Sequence, residues 1–387
     1  MELNTRYYTP NLDFRNKIIT LSQDNLKYCY QCANCTGICP LNIVSSFNPR
    51  ELIHMAQLGI IPESENEVIW RCTTCAACEE FCPKKVKIIE IITAYRAHTV
   101  EEGGEMPYTY TQTLQSFFQT GNPFNLRSAA RADWAKGLDV PVAEKGTEVM
   151  YFVGCTASYD PRSQKIAQAI SSILKRTGVN FGIVGNKERE CGNCINFMGE
   201  TVLADYEREQ NEALIKRVHP STIITTSPHS FNRIKNAYNL PEGTEVLHYT
   251  QFLDRLISEG ALEFPDNGHK EHRITYHDAC YLGRHNGVYE EPRRVLKAVP
   301  GVKLVEMPDN HQFSVCCGGG GGNIWAETRV EERLSLPRLK QALDVGASVL
   351  ATACYFCLLM FDDAVKVGNV EQQIKARDIA EIVMEAL

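Results

Sequence analysis

The sequence predicts a multidomain chain of mixed α+β and α/β class: a small helical domain built on two cysteine loops, then an α/β domain that occurs twice. Three observations carry this. Eight of the 16 cysteines fall in two tight runs between Cys29 and Cys82, and the other eight begin at Cys155. Beyond Glu148, short apolar strands alternate with amphipathic helices, an order that implies parallel strands joined by helical crossovers. The cysteine pattern of the second half also repeats at a nearly fixed offset.

The length of 387 residues suits two or three domains. A net charge of −7 and a pI near 5.9 give no basic face for nucleic acid, so proteins and small molecules are the expected partners. Residues 1–25 lack a basic-then-apolar leader. So many cysteines in a long chain then point to metal-bound thiolates in a reducing, cytoplasmic compartment rather than to a disulfide framework. The longest apolar stretch, 349–361, is too short to span a bilayer, so any membrane association is expected through a partner subunit.

The elements follow in order. Residues 1–24 read as an N-terminal arm and 25–105 as the cysteine-loop domain. The latter contains Cys29-x2-Cys32-x2-Cys35-x3-Cys39-Pro40 and Cys72-x2-Cys75-x2-Cys78-x3-Cys82-Pro83. Between the runs Asn48 and Pro49 start a helix with Leu52, Met55 and Ala56 on one face, and Gly59 and Pro62 stop it. A cubane 4Fe–4S cluster needs four thiolates, three of which a Cys-x2-Cys-x2-Cys loop supplies. In two-cluster ferredoxins the fourth cysteine of each run serves the other cluster. This predicts one cubane on Cys29, Cys32, Cys35 and Cys82, and a second on Cys72, Cys75, Cys78 and Cys39. Zinc ribbons share Cys-x2-Cys but call for neither the third cysteine nor the Cys-Pro ending. Lys84, Lys85 and Lys87 offset cluster charge, dock an acidic partner, or form a solvated face.

Residues 106–147 contain no cysteine and are broken by Pro107 and Gly121-Asn122-Pro123, so they read as a helical connector with a helix over 125–137. The first α/β copy, 148–262, is expected to have strands at 149–153, 181–184 and 222–225. Its helix over Pro161–Arg176 places Ile166, Ala169, Ile170 and Ile173 on one face. The second copy, 270–387, repeats them at 274–277, 302–306 and 348–351. Cys155, Glu190-Cys191-Gly192 and Ser227-x2-Ser230 align with Cys280, Cys316-Cys317-Gly318 and Cys354-x2-Cys357 at offsets of 125 to 127 residues.

Cys280, Cys316, Cys317, Cys354 and Cys357 thus arrive from three strand ends, which in a doubly wound sheet open onto one crevice. Five sulfurs exceed what a simple cubane or zinc site requires. The glycine run that begins Gly318, Gly319, Gly320 removes side chains beside the metal and lets backbone amides approach it.

Cys-x35-Cys-Cys-Gly-x35-Cys-x2-Cys resembles the cysteine-rich CCG domain of the heterodisulfide reductase family. With two ferredoxin runs in front, the chain resembles a fusion of that enzyme's electron-transfer and catalytic subunits, as in its D-type subunits and in the K subunit of the sulfite-reduction membrane complex. The resemblance implies one noncubane 4Fe–4S cluster on the five thiols, with an ordinary cubane on four of them as the alternative. It implies redox partners, a flavoprotein or a membrane cytochrome, and either of two roles: electron transfer within a complex, or reduction of a small disulfide at the noncubane cluster. In the first copy Glu190, Ser227 and Ser230 replace thiols, so that copy is expected to be vestigial. A site of Cys155, Cys191, Cys194 and His229 is the alternative. His277 and Asp278 are candidate proton donors or structural residues, Tyr281, Arg284 and His285 candidate binders of an anionic substrate, and Trp325 a core residue.

Overall fold

The computed structural model describes residues 9–61, 66–265 and 271–387. The expected helix stop at Pro62, the first eight residues of the arm and the expected start of the second copy at residue 270 lie outside the described residues. The first third is helical. Helix Pro49–Leu58 starts where Asn48 Oδ1 accepts from Glu51 N at 3.2 Å, and it buries Leu52, Ile53 and Ala56. It ends at Gly59, at φ +71, where a Cβ would also fall 2.6 Å from the Asn11 carbonyl oxygen. Helix Ile88–Glu101 buries residues around most of its circumference, Arg96 among them.

In the connector the helix is Tyr108–Thr120, and the helix expected over 125–137 is replaced by two short 3₁₀ turns, Ser128–Ala130 and Asp133–Ala135. The cause is local. Asn122 Oδ1 accepts from Phe124 N and Leu126 N while its amide donates to Leu126 O, a side-chain turn that competes with the helix.

Two four-stranded parallel sheets follow. The first has β1 (Val149–Phe152), β2 (Phe181–Gly182), β3 (Thr222–Thr225) and β4 (Glu245–His248) in the order β2-β1-β3-β4. The second has β5 (His272–Tyr276), β6 (Val302–Leu304), β7 (Val349–Thr352) and β8 (Lys375–Asp378) in the matching order β6-β5-β7-β8. Equal topology confirms the duplication read from the cysteines. The order turns back at β1 and at β5, which opens a crevice at the strands' carboxyl ends.

The two copies pack reciprocally. Helix Pro161–Arg176, which follows β1, lies on Ile379–Ala386, which follows β8; Tyr249–Ser258, after β4, lies on Glu290–Ala298, after β5. First helix meets last helix both ways, the arrangement of a two-fold dimer within one chain. Arg162 bonds Asp362 and Glu381 across it, and Tyr249 OH donates to Asp378 Oδ1 at 2.6 Å.

Candidate metal centres

The two cysteine loops fold alike. Gln31 and Thr74, two residues after the first cysteine of each run, have φ +66 and +50, and Ala33 and Ala76, two further on, have φ +70 and +62. None is glycine, so each left-handed residue costs about 1–2 kcal/mol, strain that a folded chain keeps where it shapes a site. Short helices Asn34–Ile38 and Ala77–Glu80 begin next and place Cys35 and Cys78 at their second positions. Cys29, Cys32, Cys35 and Cys82 line one cavity of about 20 Å³, with Arg50, Ile53 and Val86. Cys72, Cys75, Cys78 and Cys39 line another of about 20 Å³, with Phe47 and Ile92. The fourth cysteine of each run therefore lies with the other run. An all-sulfur donor set of four around a mostly apolar hollow fits a 4Fe–4S cluster. Burial pushes the thiols of Cys39, Cys72 and Cys78 up, Cys72 to about 11, so their protons leave when iron takes their place. Cys32 is exposed beside Tyr30, and Lys84 lies 5.9 Å over that ring.

In the second copy Cys280 follows β5, Cys316 and Cys317 sit on the loop after β6, and Cys354 and Cys357 open helix Tyr355–Val367 after β7. All five are buried. Cys317 Sγ and Cys357 Sγ are 3.3 Å apart, Gly318 N donates to Cys316 Sγ at 3.3 Å, and the Cys280 and Cys75 thiols both interact with the Cys316 sulfur. Cys75 belongs to the cysteine-loop domain, so the two cysteine groups adjoin through protein sulfur.

Part of the glycine run lies against the other domain, which its sequence did not indicate. A Cβ on Gly320 would fall 2.2 Å from Thr73 O, and on Gly321 2.3 Å from Cys72 O. Side chains are absent there because the other domain's loop lies against the backbone. Tyr281, Arg284 and His285 also face that loop rather than a substrate. Tyr281 OH is 2.7 Å from Thr74 Oγ1, Arg284 donates to Cys75 O at 2.7 Å and to Ser314 O, and His285 Nε2 is 2.9 Å from Thr74 O. The sequence pattern did not single out Arg96. Its guanidinium, with no exposed surface, donates to the carbonyls of Ile69, Trp70 and Cys72 in one domain and of Phe197 and Gly321 in the others. The available signal was a lone cation in the apolar run 88–97.

His277 is within 4.8 Å of the sulfurs of Cys317 and Cys357, and its Nδ1 accepts from Arg338 Nε at 3.3 Å, which leaves its proton on Nε2. Burial and then Arg338 push its pKa well below the usual value, so it is a neutral imidazole. Asp278 points away into a bidentate pair with Arg293 at 2.6 and 2.9 Å and accepts from His311 N. Burial alone would raise its pKa, but Arg293 outweighs it and keeps the carboxylate charged. In the first copy Cys155, Cys191 and Cys194 line a third cavity with Glu190, His229 and Ser230; Trp325, expected in the core, stands in its wall.

Comparison with known proteins gives two matching family models. The CCG cysteine-rich domain matches residues 149–235 and again 274–362, and the 4Fe-4S dicluster domain matches 25–86. The chain is 36% identical to a "Probable iron-sulfur-binding oxidoreductase FadF" of Bacillus subtilis (strain 168), over 83% of this chain and 47% of that protein. It is 34% identical to an "EtfAB:quinone oxidoreductase" of Syntrophomonas wolfei, over 83% of this chain and 47% of that protein. It is 30% identical to the D subunit of the dihydromethanophenazine:CoB--CoM heterodisulfide reductase of Methanosarcina barkeri, over 98% of each. The chain spans about half the length of the first two relatives.

Proposed function

This chain belongs to the heterodisulfide reductase family of CCG-domain iron–sulfur oxidoreductases, and we propose that it acts there as an electron-transfer subunit. In this reading Cys29, Cys32, Cys35 and Cys82 hold one cubane, Cys72, Cys75, Cys78 and Cys39 a second, and Cys280, Cys316, Cys317, Cys354 and Cys357 a noncubane 4Fe–4S cluster. The clusters would supply one-electron carriers in series, tuned by burial and by hydrogen bonds to sulfur. The chain's part is to keep them close, dry and in fixed order. The observation that carries the reading is the junction: the Cys75 thiol meets Cys316, and Arg96, Tyr281, Arg284 and His285 clamp the two domains around that point. Functional units at 25–105, 106–147, 148–262 and 270–387 belong to the same proposal.

A flavoprotein or a membrane cytochrome is the proposed partner, supported by relatives named for EtfAB and quinone and for a heterodisulfide reductase. Among the described residues no helix is long and apolar enough to cross a membrane. We place the chain in the cytoplasm, with any membrane association through that partner.

A second reading, reduction of a small disulfide in the second copy, is favoured by one observation. A broad cleft lined by Arg71, Thr73, Tyr110, Leu334 and Met360 opens onto Gly318, next to Cys317. Splitting a disulfide into two thiols takes two electrons and two protons; neutral His277 can donate a hydrogen bond from Nε2–H to a sulfur there, and both protons would come from solvent through the cleft. Reduced viologen with small disulfides separates the readings: turnover by the isolated, fully iron-loaded chain carries the second, and its absence carries the first. Cys317→Ala is expected to remove about four irons and the noncubane spectrum while the two cubanes remain. Unchanged metal and spectra would sink both.

A further inference from the structure

We infer that the first copy holds a fourth iron–sulfur centre, a cubane on the thiolates of Cys155, Cys191 and Cys194 with the Glu190 carboxylate facing its remaining corner. The inference goes beyond the reading above and does not depend on the role of the second copy.

Backbone shape supports it first. In the two cubane loops, Cys32-Ala33-Asn34-Cys35 and Cys75-Ala76-Ala77-Cys78, the residue after the first cysteine is left-handed (φ 70, ψ 1 and φ 62, ψ 7). A short helix starts at the next residue and presents the second cysteine. Cys191-Gly192-Asn193-Cys194 does the same: Gly192 has φ 83, ψ −3, and helix Asn193–Phe197 presents Cys194 at its second position. The intact second copy has Gly320 where the first has Cys194. Loss of thiols from an ancestral five cannot create Cys194, so a decaying site does not account for it.

The cavity has the right lining. It is a small hollow of about 10 Å³, against about 20 Å³ for each of the two cysteine-loop hollows. Polar atoms at it lack partners, Trp325 Nε1 in its wall and Asn193 Oδ1 beside it, and the Ser230 hydroxyl faces the Cys191 thiol. Glu190 is 5% exposed; one of its oxygens accepts from Gly192 N, and Oε1 has the Cys191 thiol at 3.4 Å. A metal on Cys191 removes that proton and leaves Oε1 free to ligate. Arg131, 3% exposed and ion-paired with the buried Glu188 carboxylate at 2.8 Å, turns its other amino group to Cys155 Sγ at 3.4 Å.

Among the described residues the thiols of Cys155, Cys191 and Cys194 do not all lie within 4.8 Å of one another, and neither do the four cysteines of either loop hollow. The turn shared with those loops is what sets the first copy beside them, whereas a single zinc ion with bonds of about 2.3 Å would need its sulfurs drawn together.

The test is iron and sulfide content with Mössbauer spectroscopy of the anaerobically reconstituted full chain. Wild type is expected to carry about sixteen irons and the Cys191→Ser/Cys194→Ser variant about twelve, the noncubane signal unchanged. Cys317→Ala should remove a different set of irons, so failure of the second-copy assignment and failure of this one are told apart. The wild-type spectrum needs no variant to fold: a cubane-to-noncubane iron ratio of about three to one supports the centre, and about two to one overturns it. Wild-type iron retained by the double variant, or loss of one zinc in place of iron, overturns it too.

Discussion

A guanidinium with no exposed surface must find acceptors for five N–H groups, and Arg96 finds five carbonyls in three parts of the chain. Asp378 is the opposite case, a buried acid with a spare oxygen. Its Oδ1 accepts from Tyr249 OH and Ala380 N, while Oδ2 has no partner. Burial pushes its pKa up to about 8 against those bonds, with Glu381 adding repulsion and Arg162 opposing it. Between the usual carboxyl pKa of about 4 and about 8 the native state keeps a proton that the unfolded chain has lost, so stability falls as pH rises. The denaturant midpoint is therefore expected to drop from about pH 5 to about pH 8, and Asp378→Asn to flatten that slope; an equal slope in the variant would refute it. At this scale the sequence was legible in the grouping of the eight cysteines of the two runs, which the fold gathers four and four around two hollows. Arg96 and Asp378 were not, because nothing local separates a buried charge from an exposed one.

Local elements were legible in proportion to the strength of their local signals. Helix Pro161–Arg176 occupies the residues its periodicity predicts, since Asp160 caps it at Ser163 N and Pro161 costs no donor at its first position. Strands β4 and β8 went unrecognised, because Glu245, Lys375 and Arg377 break the apolar run at a sheet edge where one side needs no burial. The left-handed cysteine turns left no mark either, since Ala33 and Ala76 are poor choices for that conformation. The strain they hold makes a sharp test. Ala76→Gly relieves it and should keep full iron content. Ala76→Val puts a β-branched residue in a left-handed position and should lose the cluster proposed on Cys72, Cys75, Cys78 and Cys39, about four irons, with the one proposed on Cys29, Cys32, Cys35 and Cys82 retained. Equal iron in both variants would show that the turn does not shape the site.

The molecule as a whole is a two-fold pair of α/β copies with the 4Fe-4S dicluster domain pressed against the crevice of one of them. Duplication was legible because thiol spacing survives in both copies; the reciprocal helix packing was not, since amphipathic faces do not name their partners. Nor did the sequence show that the glycine run measures the distance between domains. That distance is held by backbone on both sides, with no flexible side-chain end to yield, at Gly320 against Thr73 O and at Gly321 against Cys72 O. At Gly319 the nearest atom is Met360 Cγ at 3.2 Å, the middle of a flexible chain that can move. Gly320→Ala must therefore push the Cys72–Cys75 loop off Cys316, while Gly319→Ala need not. Both variants should fold with full iron. In rapid-mixing experiments that reduce the chain through its cubane domain, Gly320→Ala should slow reduction of the second-copy centre and Gly319→Ala should leave it at the wild-type rate. If Gly320→Ala passes electrons as fast as wild type, the route does not run between Cys75 and Cys316, and the exposed cleft at Gly318 becomes the place where the second copy meets its own electron source.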